Sequence, residues 1–263
     1  MKAQSDLNYV SYLALDQLLT AQRPQSLVDG RAEHDEMLFI IIHQVYELWF
    51  KQLLHEVDYL IAAFEGNRPT QALHTFRRIL TILKTVVSQI DVLETMTPLE
   101  FLSFREFLAN SSGFQSVQFR ALEFALGHKR AAMLSHFSAD LYGVDELKVR
   151  FDGPTLWDAF LSFLNARGFH IPKREDVTAA IEPSDVVQNA LVAVYRKNNV
   201  AARITERMVD LDEGIQEWRY RHVKMVERTI GTKPGTGGSA GANYLRTTLR
   251  PLYPDLWAIR ARL

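Results

Sequence analysis

Four residues stand in settings that suit chemistry. His222 follows Ile204, Met208, Leu211, Ile215 and Trp218 and precedes Met225, with spacings of 4, 3, 4, 3, 4 and 3. That spacing puts all seven on one stripe of a helix, so the imidazole faces inward with apolar side chains. His43 repeats the pattern, sharing a face with Phe39, Tyr46 and Phe50 at spacings of 4, 3 and 4. A buried imidazole with a hydrogen-bond partner is an ordinary core residue. It is also neutral at pH 7 and binds iron well, and a helix fixes its direction. Haem iron takes one histidine below the ring and often a polar group above it, so two such histidines on two long helices suit an axial ligand and a distal partner.

Arg105 lies among Phe101, Phe104, Phe107 and Leu108. Beside a pocket, its planar fork would grip a carboxylate in bidentate fashion; otherwise it is a surface residue. The break at Ser112-Gly113 frees backbone N–H groups and a hydroxyl close by. Residues 231–241 hold five glycines and one candidate hydroxyl contact, Thr236. No Gly-Lys-Ser/Thr occurs there, and the segment follows a helix, so it is neither a triphosphate loop nor a dinucleotide fingerprint. A flexible linker is one reading. Because the chain beyond is again apolar, from Tyr244 to Trp257, a lid that orders around a ligand is the preferred one. Glu36, His43 and Glu47 raise a non-haem metal site, but the long helices lack the Glu-x-x-His pairs of di-iron bundles. Both glutamates are expected to be solvated or salt-bridged.

The elements that must position these groups read as helices almost throughout. A first amphipathic helix is marked by Leu7, Val10, Leu13 and Leu18. Long helices are predicted over 32–64, 70–93 and 201–230. Thr97-Pro98-Leu99-Glu100 starts another, with Thr as cap, Pro at the first position and Glu three after the cap. Further helices are predicted over 114–126, 156–166 and 186–197, and residues 172–183 read as a surface excursion. No strand alternation, repeat or linker emerges, so we expect one all-α helical-bundle domain over 1–263.

Bulk properties narrow the function. A 47% hydrophobic composition supports a sizeable core, and a net charge of −1 gives no broad case for nucleic acid or anionic membrane. The local run of Arg219, Arg221 and Lys224 reads as the polar face of an amphipathic helix. Without cysteine there is no disulfide, thiolate metal site or covalent haem attachment. The N-terminus shows no hydrophobic signal core, so a cytoplasmic protein is expected.

Four blocks in order resemble the tryptophan 2,3-dioxygenase family: LNYVSYLALDQLL, HDEMLFIIIHQVYELWFKQLLHE, FREFLANSSGFQS and WRYRHVKMVERTIGTKPGTGGSAG. The similarity spans about Tyr9 to Trp257. It implies long helices enclosing a haem pocket, one haem b per subunit and His222 as axial ligand to the iron. It implies His43 as the catalytic distal residue, bonding the indole N–H. Phe39, Ile40, Ile41 and Ile42 would line the substrate pocket, with Phe101, Leu108 and Ser112. Arg105 would hold the substrate carboxylate and Thr236 the amino-acid backbone end. Ser111 and Gly113 fall at cofactor-contacting positions. Tyr9 and Tyr12 match residues of an N-terminal arm, about 1–30, that reaches a neighbouring subunit in a homotetramer. Phe101 stands where some members carry tyrosine. The implied reaction adds both atoms of O2 across the indole C2–C3 bond of L-tryptophan, giving N-formylkynurenine. Two other readings stand beside it: a related haem enzyme oxygenating a modified tryptophan, and a non-enzymatic haem sensor.

Overall fold

The helix that carries His43 runs for 32 residues without Gly or Pro, and its inward stripe explains its length. In the computed structural model, which describes residues 7–27, 30–138, 141–197, 199–236 and 240–263, this is α3, His34–Glu65. Before it come α1 (Tyr9–Leu13) and α2 (Leu15–Leu18). The single helix expected there is broken at Ala14, whose φ of 49° lies in the left-handed region. α4 (Pro69–Leu93) returns along α3, and α5 (Pro98–Arg105) starts at the expected Thr97–Glu100 capping box, both halves of which are formed. That helix is shorter than the sequence suggested, because a 3-10 turn replaces it over Glu106–Leu108.

α6 (Val117–Leu126) follows the Ser112-Gly113 break. α7 (Val144–Asp152) was not foreseen; α8 (Leu156–Asn165), α9 (Asp185–Arg196) and the 31-residue α10 (Val200–Ile230) were. Short α11 (Ala242–Arg246) and α12 (Pro254–Ala258) close the chain. Among the described residues there is no strand, as an all-α fold requires. Residues 172–183 carry no helix, as expected of an excursion. Among the described residues no helix is long and apolar enough to cross a membrane.

α4 packs along both α3 and α10, so it is the spine against which the two histidine-bearing helices are set. Phe76, Ile79, Val86 and Ile90 of α4 are almost fully buried in one continuous cluster with Leu53, Val57 and Leu60 of α3 and Ile204, Met208 and Leu211 of α10. Burying each such side chain contributes about 1.5–3 kcal/mol.

Two carboxylates act as tethers. Asp212 of α10 is wholly buried and accepts from Leu252 N (2.9 Å), Tyr253 N (3.0 Å), Trp257 Nε1 (2.8 Å) and Gln216 Nε2 (3.1 Å). It fixes the C-terminal segment to the middle of α10. Asp212→Ala would strand the buried Leu252 and Tyr253 N–H groups and is expected to lower stability by about 3 kcal/mol or more, read by chemical denaturation. Glu36, at the head of α3, is neither solvated nor salt-bridged as its sequence setting suggested. It is 1% exposed and accepts from Gln25 N (2.7 Å), Ser26 N (2.9 Å) and the Ser26 hydroxyl, anchoring the N-terminal segment.

Candidate functional site

One cavity is walled by α3, α5, α6, α10, the end of α4 and the segment after α10. His43 and His222 both line it, with Phe39, Phe50, Phe101, Phe119, Trp218 and Met225 supplying apolar wall. Both residues are half-buried.

The His43 Nδ1 lies 2.6 Å from the Phe39 carbonyl oxygen, one turn earlier on α3. A carbonyl only accepts, so the neutral ring carries its proton on Nδ1 and leaves the Nε2 lone pair free. Phe39 packs against this ring, with centroids 4.2 Å apart, and Phe101 and Phe104 pack on Phe39 in turn. Burial pushes the His43 imidazole below its ordinary pKa, against the opposing pull of the Phe39 carbonyl and Glu47. Burial, and then the proximity of His43, push His222 down to about 4. Both rings are therefore neutral at pH 7, as metal coordination and hydrogen-bond acceptance demand. His222 stacks on Trp218, centroids 5.2 Å apart and planes 6° apart, so the indole sets the plane of the imidazole.

At the other end, Arg105 Nη2 donates to Pro234 O (2.5 Å) and the Thr236 hydroxyl donates to Ser111 O (2.5 Å). These two bonds lay the segment after α10 across α5 and the break that follows it. Gly241 has a φ of 56°, and a Cβ there would meet the Lys233 carbonyl oxygen at 2.7 Å. Only glycine lets the segment fold back on itself at that point. Residues Gly237 to Ser239, which fall within the expected lid, lie outside the described residues.

The cavity also holds a buried charge cluster. Glu123 of α6 accepts from Arg120 and from Arg219 Nη2 (2.6 Å), and Arg219 Nη1 donates to Thr248 O (2.8 Å). Burial pushes the Glu123 carboxyl up, but Arg120 and Arg219 more than offset that and hold it below the usual range. Arg130 approaches the same carboxylate at 4.0 Å. Three guanidiniums thus face one carboxylate. Among the described residues, Nε of Arg120, Arg130 and Arg219 and Nε1 of Trp218 have no hydrogen-bond partner, although all four residues line the cavity. Buried donors of this kind call for an acceptor.

Of the residues singled out in the sequence, Phe39, His43, Phe101, Arg105, Ser112, Gly113, His222 and Thr236 line the cavity. Seven others do not. Ile42 is 6% exposed and turned into the core, and Ile41 is 43% exposed on the outside. With successive residues about 100° apart on a helix, Ile40, Ile41 and Ile42 cannot all share the face of Phe39 and His43. Leu108 is buried in the apolar core beside the site, and Ser111 meets Thr236 through its carbonyl alone. Tyr9 and Tyr12 are 72% and 71% exposed and do not line the cavity. Sequence reasoning missed the Glu123 cluster, and Glu47, considered there only as a metal ligand or a solvated or salt-bridged group, also lines the cavity. Sequence reasoning also placed Arg219 on the polar face of α10, whereas Arg219 is 3% exposed; only Arg221 and Lys224 face outward. The Arg120–Glu123 spacing of three on α6 was the available signal.

An all-α fold that encloses a largely apolar cavity, with two neutral imidazoles and an Arg–Glu cluster on its walls, defines a helical protein with an enclosed ligand pocket. A sequence profile of the tryptophan 2,3-dioxygenase family matches residues 1–147 and 170–263. The chain is 56% identical over 260 residues to the tryptophan 2,3-dioxygenase of Herpetosiphon aurantiacus, covering 98% of each chain. It is 55% identical to that of an Anaeromyxobacter species, covering 98% of this chain and 96% of the relative. It is 43% identical to that of Bordetella parapertussis, covering 98% and 92%. The chain belongs to the tryptophan 2,3-dioxygenase family.

Proposed function

We propose that the protein opens the indole ring of L-tryptophan with O2, giving N-formylkynurenine, on one haem b per subunit held by His222. What carries the reading is a cavity that joins two neutral imidazoles to a guanidinium at its rim, in a chain of this family. The residues present suit haem. Among the described residues no group of three or more His, Asp or Glu could hold a bare ion, whereas a porphyrin brings four donors and needs one more. His222 is that donor. The unpartnered guanidinium nitrogens of Arg120, Arg130 and Arg219 and the Trp218 N–H would meet the carboxylates of the porphyrin edge.

Haem, when bound, supplies the activation of O2. The chain's own residues orient the substrate and exclude water. With its proton held on Nδ1 by the Phe39 carbonyl, His43 offers Nε2 to the indole N–H. Phe39 and Phe101 flank that position, and Phe101 provides apolar contact without a hydroxyl. The substrate carboxylate would replace the neutral Pro234 carbonyl as the partner of Arg105, a stronger, charge-assisted bond. Thr236 would exchange its bond to Ser111 O for the amino-acid end of the substrate, drawing the lid down.

The apolar arm of residues 7–27 leaves Leu7, Tyr9, Val10 and Tyr12 uncovered in one subunit, in keeping with an arm that reaches a neighbour in a homotetramer. A cytoplasmic location belongs to the same reading.

Two measurements test it. Mass spectrometry of the product made under labelled O2 is expected to show two labelled atoms; one would indicate a monooxygenase. His43→Ala is expected to lower kcat/KM for L-tryptophan by about ten- to a hundredfold, the cost of an indole N–H left unpaired in a dry pocket. An unchanged kcat/KM would remove His43 from the site.

A further inference from the structure

Two carboxylates line the cavity, and only one is paired. Glu123 is held by Arg120 and Arg219. Glu47 forms no ion pair among the described residues, although Arg105, Arg120, Arg130 and Arg219 line the same space. It sits one helical turn beyond His43 on α3, the i to i+4 relation that brings side chains together on one face. Its position is fixed by a neutral group. Gln118 Nε2 of α6 donates both to Glu47 Oε2 (3.1 Å) and to the Glu47 backbone carbonyl (3.0 Å), clamping side chain and main chain together. An amide clamp orients a carboxylate without cancelling its charge.

We propose that Glu47 is a positioning residue whose uncancelled carboxylate strengthens His43 Nε2 as the acceptor of the indole N–H. The inference rests on the substrate reading above. As the N–H approaches Nε2, positive charge builds on the imidazole. A fixed negative charge one turn away, in a cavity of low dielectric, favours that build-up. The Phe39 carbonyl acts on Nδ1 in the same sense. Burial opposes both, and among the described residues the charge of Glu47 raises the basicity of His43.

The test compares two ligands on the haem-loaded protein without O2, titrated by the change in haem absorption. One is L-tryptophan. The other is its sulfur analogue, 3-benzothienyl-L-alanine, which has the same shape, carboxylate and ammonium but no ring N–H. Glu47→Gln keeps the size and the Gln118 contact and removes the charge. It is expected to weaken L-tryptophan by about three- to tenfold and to leave the analogue unchanged. Glu47→Asp, which keeps the charge, is expected to retain most of the preference for L-tryptophan. Gln118→Leu, which frees the carboxylate, is expected to lose part of it and serves as the readout should Glu47→Gln fail to fold. Equal weakening of both ligands would mean that Glu47 meets the shared ammonium or merely shapes the wall, and would overturn the inference. So would a preference unchanged in Glu47→Gln, or, where that variant does not fold, in Gln118→Leu. A wild-type protein that binds neither ligand would instead refute the substrate reading itself.

Discussion

His222→Ala is expected to yield a folded protein that does not retain haem and has lost at least about a thousandfold in turnover. The argument is one of donor count. A porphyrin leaves its iron short of one strong protein ligand, and His222 is the imidazole that stands on α10 with its ring plane set by Trp218. On the proposed reading His43 does not replace it, because its Nδ1 is tied to the Phe39 carbonyl and its Nε2 would be taken by the substrate N–H. Stability reports the same loss independently of activity. A ligand at a hundred times its Kd stabilises the folded state by about 2.7 kcal/mol. For a chain of this size that raises Tm by roughly 5–10 °C. Haem is therefore expected to raise the Tm of the wild type by that amount and to leave His222→Ala within about 1 °C of its apo value. Imidazole in the medium should restore part of the absorption band, because the variant leaves a hole the size of the missing ring. A full Soret band in His222→Ala without imidazole would assign the iron to another residue.

Much of this site was legible because helix periodicity is a strong signal. The 4-3 spacing placed Trp218, His222 and Met225 on one wall, and all three line the cavity. The Thr97–Glu100 box announced α5, and with it the placing of Arg105. What was not legible depends on partners distant in sequence or on local conformations that leave no pattern. Arg219 looked like any charged residue on an amphipathic helix, since its partner Glu123 lies 96 positions earlier. Glu36 gave no sign that it would be buried, because it is satisfied largely by backbone N–H groups of an irregular segment. Ala14 does not advertise a left-handed φ as glycine would. α7 begins at Gly143 without a side-chain cap and carries a heavily charged sequence, so neither a start signal nor an apolar stripe marked it. The run Ile40-Ile41-Ile42, which the family resemblance set at the pocket, divides between faces, with Ile42 turned into the core and Ile41 outward.

Arg105→Leu is expected to lower kcat/KM for L-tryptophan by about a thousandfold, because a substrate carboxylate would then enter a dry pocket without its counter-charge. Arg105 has a second task, however. It ties the lid to α5 through Pro234 O, so its loss would also loosen the segment that closes the site. The two effects separate by substrate. Tryptamine has the indole and the ammonium but no carboxylate, so it never draws on the clamp. If Arg105 works mainly on the carboxylate, the wild type strongly prefers L-tryptophan over tryptamine, and Arg105→Leu abolishes the preference while leaving the slow turnover of tryptamine almost unchanged. If it works mainly on the lid, both substrates fall together and the preference survives. Arg105→Lys sharpens the distinction. Lysine keeps the charge but loses the planar fork, which matters for a bidentate carboxylate and little for one bond to a carbonyl. A loss of about ten- to a hundredfold for L-tryptophan with Arg105→Lys, and none for tryptamine, is the outcome expected of a clamp. Thr236→Val gives the converse comparison. Its hydroxyl bonds Ser111 O in the break that follows α5. If Arg105 is the clamp and Thr236 the latch, Thr236→Val raises KM for both substrates by a similar factor, whereas Arg105→Leu acts on one. A shared response to both substitutions would place the discrimination elsewhere in the cavity, and the guanidinium cluster around Glu123 is the next site that could provide it.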